Sequence, residues 1–292
     1  MFIRRILIIA DRRDRRPHAI ARGLSLARKT GAQVLVVGFL YEYLGNLPLE
    51  KRPADLGRLR ERLVREHHSW LNDTVRKFSP GKLKLGLEVV WEKDLARWVI
   101  AHVRDRGCTL VIKTGHRSEA WDYTPTDWRL IRGCPVPLLL VAEKQWRGNR
   151  HVLAAVDLGT RLAAKRALNH RVVAAAAELA DALGCELHVA YAPPYSAVLR
   201  DLDVVDPVAL TAMGRKRAEA FLRRLARADL YPVASHVRAG SPPKVLTSIA
   251  AQQKIAVTVL GTVGRKGLVG KLVGNTAERI LSLLKTDVLV VK

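Results

Sequence analysis

With 292 residues and 49% hydrophobic content, the chain has room for about two domains of roughly 150 residues, which excludes a disordered polypeptide. No run approaches the roughly 18–20 uninterrupted apolar residues of a membrane span, and Cys108, Cys134 and Cys185 form no C-x-x-C pair, so a reducing compartment, the cytoplasm, is expected. The formal net charge of +23 is shared by both halves, residues 1–147 holding 29 Lys and Arg against 16 Asp and Glu and the remainder 21 against 11, which excludes a detachable basic tail.

The first residues, Met1 to Asp11, set basic side chains before an apolar run too short for a signal peptide, and they read as a first strand. Periodicity then predicts strand Arg5–Ala10, helix His18–Thr30, strand Gln33–Phe39, helix Ala54–Phe78, strand Lys84–Trp91, helix Leu95–Arg106, strand Thr109–Lys113, helix Pro125–Ile131 and strand Pro137–Val141. A polar segment, Glu143–Arg150, follows as the expected linker. The second half repeats the pattern: strand His151–Val156, helix Ala163–Leu183, strand Glu186–Tyr191, helix Pro207–Ala228, strand Val233–Arg238, helix Pro242–Gln253, strand Lys254–Leu260, helix Thr276–Leu284 and strand Asp287–Val291. Strands alternating with helices imply parallel sheets covered on both faces, and the repeat implies domains at 1–145 and 150–292.

Local grammar supports two copies of one unit. The first strand of each half runs into an aspartate, Asp11 and Asp157, and the first helix of each closes at a glycine, Gly31 and Gly184. Before the last helix of each half, Thr124-Pro125-Thr126-Asp127 and Asn275-Thr276-Ala277-Glu278 supply an N-cap residue with an acid three positions on, the pattern of a capping box. Ser241 is expected to cap the helix that starts at Pro242.

The stretch LGTVGRKGLVGKLVGNTAE, Leu260 to Glu278, carries Gly261, Gly264, Gly270 and Gly274 between a buried strand and a helix start. Glycine backbone can approach a ligand closely and a helix N-terminus offers unpaired N–H groups, so a phosphate is the natural guest. A P-loop fails on Arg265 and Leu272, and no G-x-G-x-x-G follows a strand. What remains is Gly261-x2-Gly264-x9-Gly274. The first half keeps only Gly115 in the corresponding loop; His116, Arg117, Asp122 and Trp128 stand there as candidates for a different pocket.

These features resemble the universal stress protein family. The second half carries the strand ending at Asp157, the glycine loop and the final strand Val288-Leu289-Val290-Val291; TPTDWRLIRGCPVPLLLV extends the likeness into the first half. The whole chain is similar to the tandem, E-type members. The resemblance implies two five-stranded Rossmann-like domains forming an internal pseudo-dimer through their last strands. It also implies a non-enzymatic stress-response protein that binds ATP or another phosphate-bearing molecule in its second half and signals to an unidentified protein partner. On that footing the cofactor-binding residues are Gly261, Gly264, Gly274, Asn275 and Thr276 for phosphates, with Asp157 and Val189 for adenosine. Asn275 departs from the family's usual serine or threonine and competes as a helix cap for the same N–H groups.

Two alternatives stand beside this reading: a polyanion-binding protein that contacts RNA or DNA through its distributed basic surface, and a slow ATPase. No G-x-S-x-G elbow is present, and adjacent His67 and His68 point to different sides of a helix, so no catalytic or metal-ligating set is expected.

Overall fold

The computed structural model describes residues 3–12, 14, 16–44, 53–78, 83–116, 124–142, 151–226, 232, 234–262 and 275–292. The linker 143–150 and loop residues Arg117, Asp122, Gly264, Arg265, Lys266, Gly270 and Gly274 lie outside them. The chain runs β1 (Arg5–Ala10), α1 (His18–Thr30), β2 (Gln33–Leu40), α2 (Pro53–Phe78), β3 (Leu85–Trp91), α3 (Leu95–His102), β4 (Leu110–Thr114), α4 (Pro125–Gly133) and β5 (Leu138–Val141). It continues with β6 (His151–Val156), α5 (Ala163–Leu183), β7 (Leu187–Tyr191), α6 (Ala197–Asp201), α7 (Pro207–Ala226), β8 (Ala234–Val237), α8 (Pro242–Gln252), β9 (Ile255–Gly261), α9 (Asn275–Leu283) and β10 (Asp287–Val291).

All ten strands lie in one sheet of order β3-β2-β1-β4-β5-β10-β9-β6-β7-β8. Among the described residues, pairing is parallel within each half and antiparallel only at the centre, where Val288, Leu289 and Val290 of β10 face Leu140, Leu139 and Leu138 of β5. The last strands therefore meet as expected. Central strands are buried on both faces, as β1 and β6 show with five buried residues after a half-buried first one, and this is why their sequences are continuous apolar runs rather than alternating ones.

Two cores sandwich the sheet, and each draws on both halves. One packs α1, α2, α5 and α7 against Ile6, Ile8, Val152, Ala154 and Leu289. The other packs α3, α4, α8 and α9 against Leu7, Ile9, Leu153 and Val288. Charged bonds also cross the junction: Asp287, almost fully buried, accepts from the Ala142 N–H at 2.8 Å and faces Arg22 Nε at 2.8 Å. Lys292 donates to the carbonyls of Arg132 and Cys134, and the Ile3 N–H donates to Glu178. Among the described residues no helix is long and apolar enough to cross a membrane.

Several local expectations need correction. Helix α3 stops at His102 instead of Arg106, because the chain turns back at Gly107, φ +65°, with the Cys108 N–H bonded to the Val103 carbonyl. The five-residue α6 has no sequence signal, being shorter than one full amphipathic repeat. Ser241 precedes α8 without a side-chain cap bond, and Pro242 at its first position removes one N–H that would need one. The glycine closures hold: Gly31 and Gly184 adopt φ of +70° and +66°.

Candidate functional site

Parallel sheets leave a crevice at the carboxyl ends of their strands. In the second half this crevice holds a cavity of about 360 Å³ whose wall includes Asp157, Asn169, Tyr191, Gly261, Thr262 and Thr276. Asp157 directly follows β6, and Asn169 of α5 grips its backbone in both directions, accepting from the Asp157 N–H at 3.0 Å and donating to its carbonyl at 2.8 Å. The aspartate is thereby held while its carboxylate stays 53% exposed, 3.8 Å from Lys165 Nζ. Its Oδ1 accepts from the Gly159 N–H at 3.2 Å, an Asx-type turn that leaves the other oxygen outward.

Gly261 ends β9, level with Val291 of β10. A Cβ there would stand 2.7 Å from Cγ and Cδ2 of Leu168 and 3.1 Å from Val172, so this glycine is needed for α5 to pack onto the strand end as well as to border the cavity. The next residue, Thr262, donates its N–H to the Val291 carbonyl at 2.8 Å. Its hydroxyl is a cavity feature that sequence reasoning missed: Thr262 is 3% exposed, and among the described residues Oγ1 has no hydrogen-bond partner. Leaving a buried hydroxyl unsatisfied costs about 1–3 kcal/mol. Thr276 and Ala277, in the first turn of α9, close the cavity from the helix N-terminus.

The structure thus brings together Asp157, Gly261 and Thr276. Val189 is not brought to the cavity wall; it is buried in the core two residues before Tyr191, the β7 side chain that does line the site. Gly264 and Gly274 lie outside the described residues, as does the side chain of Asn275, whose backbone opens α9 one position earlier than expected.

Among the described residues, charged side chains turn into the first-half crevice. Lys113 of β4, where the second half has Leu260, extends to Asp127 of α4 at 2.9 Å, and both are essentially fully buried. Asp127 Oδ2 accepts from the Thr124 hydroxyl at 2.9 Å and from the His116 N–H at 3.1 Å. The expected capping box is therefore only half present: Thr124 accepts from the Asp127 N–H, but the acid turns inward to Lys113, and the Thr124 N–H goes to the His116 carbonyl.

Beside this pair, Thr114 donates to Asp14 Oδ2 at 2.7 Å, and His116 Nε2 lies 2.9 Å from Asp14 and 3.5 Å from Asp11. Bonding to Asp11 and Asp14 raises the His116 pKa to about 9, against the opposing pull of burial and of Lys113. His67 of α2 lies over Gly38 of β2, the neighbour of Ala10 in β1. Its ring lies where a Cβ on Gly38 would come within 2.9 Å, it meets Trp70 with centroids 4.9 Å apart, and burial lowers its pKa. His116 thus belongs to a charge network, whereas Trp128 packs against the apolar core with Arg132 over its ring.

A family model described as the universal stress protein family matches residues 148–292. Universal stress protein E of Escherichia coli strain K12 is 27% identical over 299 residues, covering 100% of this chain and 94% of the relative. Among solved structures, a protein assigned to the universal stress proteins of Pseudomonas aeruginosa UCBPP-PA14 superimposes with a TM-score of 0.72 at 26% identity, over 99% of this chain and 93% of that one. A universal stress protein from Archaeoglobus fulgidus DSM 4304 shares the fold at a TM-score of 0.68 and 13% identity, over 99% and 98% of the two chains.

Proposed function

Since this chain belongs to the universal stress protein family, we propose that it is a two-domain member, divided at 1–145 and 150–292, whose second domain holds ATP or another phosphate-bearing small molecule. The observation that carries this reading is the convergence of Asp157, Gly261 and Thr276 on one cavity with the orphan Thr262 hydroxyl in its wall. A volume of about 360 Å³ lies within the range of about 300–1,000 Å³ usual for small-molecule sites. Phosphates would sit against the first turn of α9, where unpaired N–H groups and the helix dipole favour anions. A ribose or base would lie between Asp157 and Tyr191.

The proposed role is occupancy read by a protein partner in the cytoplasm, without turnover. Isothermal titration of the full chain with ATP tests the site. Saturable binding is expected, reduced at least tenfold by Gly264→Asp, which sets a carboxylate in the loop, and by Asp157→Ala. Affinity equal in the wild type and both variants would overturn the assignment. Steady ADP release that depends on the same loop would replace a sensor with an ATPase.

A further inference from the structure

A second cluster lies at the other end of the same half, well away from the cavity. His151 opens β6, Glu186 precedes β7, and His188 is the second residue of β7. Pairing of β6 with β7 sets Leu153 beside His188, so His151, two residues before Leu153, shares the His188 face. His151 Nδ1 lies 3.1 Å from Glu186 Oε2, and His188 Nε2 lies 3.4 Å from the same oxygen. One ligand atom from each of the three residues falls within 4.8 Å of the others. Two ligands at about 2.0–2.2 Å from a zinc ion stand about 3.3 Å apart at a tetrahedral angle, so these spacings suit one small cation. The cluster lies six residues from Asp157 along β6, about 20 Å.

Two features set this cluster apart from a chance meeting of polar groups. His151 Nδ1 is buried and, among the described residues, makes no hydrogen bond, although it faces the Glu186 carboxylate at 3.1 Å. Second, His188 Nδ1 meets His236 Nε2 of β8 at 3.1 Å. A metal-bound imidazole characteristically donates its other N–H to a partner that fixes its tautomer, and His236 is placed to accept from His188 in that way.

The geometry points to a divalent transition-metal site of the zinc class, with His151 Nδ1, Glu186 Oε2 and His188 Nε2 as ligands and His236 as the residue that orients His188. Three protein ligands leave a fourth position for water or for a donor from a partner, on the side where Glu186 is half exposed. Closing on an ion requires the His151 ring to swing from its stack on His188, in which the centroids are 4.5 Å apart. That movement would tie the amino ends of β6 and β7 together.

The test is a zinc titration of the full chain after treatment with a chelator, read by competition with a chromogenic indicator. The wild type is compared with His151→Asn, Glu186→Gln and His236→Asn, all checked for folding by far-UV circular dichroism. Sites elsewhere contribute equally to every protein and cancel. The wild type should bind one more equivalent than either ligand variant, and His236→Asn should keep it with an affinity lowered about 10- to 100-fold. Glu186→Gln, at a half-exposed position, keeps the test open should His151→Asn misfold. Equal stoichiometry and affinity in the wild type and Glu186→Gln would overturn the site. So would a long-range histidine ¹H–¹⁵N spectrum in which zinc leaves the His188 Nε2 resonance unmoved.

Discussion

Thr114 and Gly261 occupy equivalent places in the sheet, each level with the last residue of its half's final strand, Val141 or Val291. From Thr114 a network of Asp14, His116 and Asp11 extends over the crevice, and Lys113 reaches down to Asp127 beneath it. At Gly261 there is no side chain; Leu168 occupies that space, and beyond it lies a cavity with a hydroxyl, that of Thr262, unpaired among the described residues. Topology is the same in both halves, so topology does not make the site. A handful of side chains at the strand ends decides whether the crevice is filled by the protein's own charges or left for a ligand.

The largest expected effect comes from breaking the filled half. Asp127→Ala leaves Lys113 buried without its carboxylate, and breaking one side of such a pair costs about 3–5 kcal/mol. The equivalent acid in the second half, Glu278, only bridges to Arg132 at 3.3 Å with both side chains about one-third exposed, so Glu278→Ala should cost less than about 1 kcal/mol. Urea unfolding of both variants measures the asymmetry. Equal losses would mean that the two crevices are held together alike. Next in size is Gly261→Ala, whose Cβ would collide with Leu168. Overpacking of that kind costs about 1–3 kcal/mol, and the displaced α5 should weaken ATP binding together with stability.

Much of this asymmetry can be read in the sequence, but only in part. The strand and helix order and the two glycine closures follow from apolar runs and caps that act locally, whereas the central meeting of β5 with β10 is legible only through the family resemblance. The loss of glycines after Gly115 already marks the first half as different. Lys113, directly after Val111 and Ile112 in a strand, carries a further signal, since a buried lysine demands a partner; its partner could not be named, because Asp127 also fits a capping pattern and only packing turns it inward. Thr262 looks like any residue after a strand until α9 and β10 bury it. The histidine cluster is invisible in one dimension: His151, His188 and His236 come from three strands, and only lateral pairing brings them together.

Thr262→Val sharpens the comparison from the open side, because it keeps the shape while removing the unpaired hydroxyl. If that oxygen waits for a ligand, the two readouts should move in opposite directions. Stability without ligand should be unchanged or rise by up to about 1 kcal/mol, as an unsatisfied buried group is removed. ATP affinity should fall about three- to tenfold, the net value of one hydrogen bond. Thermal unfolding with and without ATP reads both at once. Loss of stability in the absence of ligand would instead assign the hydroxyl to the fold.

The remaining prediction concerns His116 and depends on pH. Asp11 and Asp14 hold its folded-state pKa at about 9, above the ordinary value of 6.5. Folding therefore favours the imidazolium. The stabilisation is fully present below pH 6.5, declines between 6.5 and 9 as the unfolded chain releases the proton first, and is lost once the folded protein titrates. The difference in unfolding free energy between the wild type and His116→Asn should follow that course, largest at pH 6 and absent by about pH 10. A His116→Asn difference that stays constant from pH 6 to 10 would show that the first-half crevice is closed by packing around His116, with its charge contributing nothing.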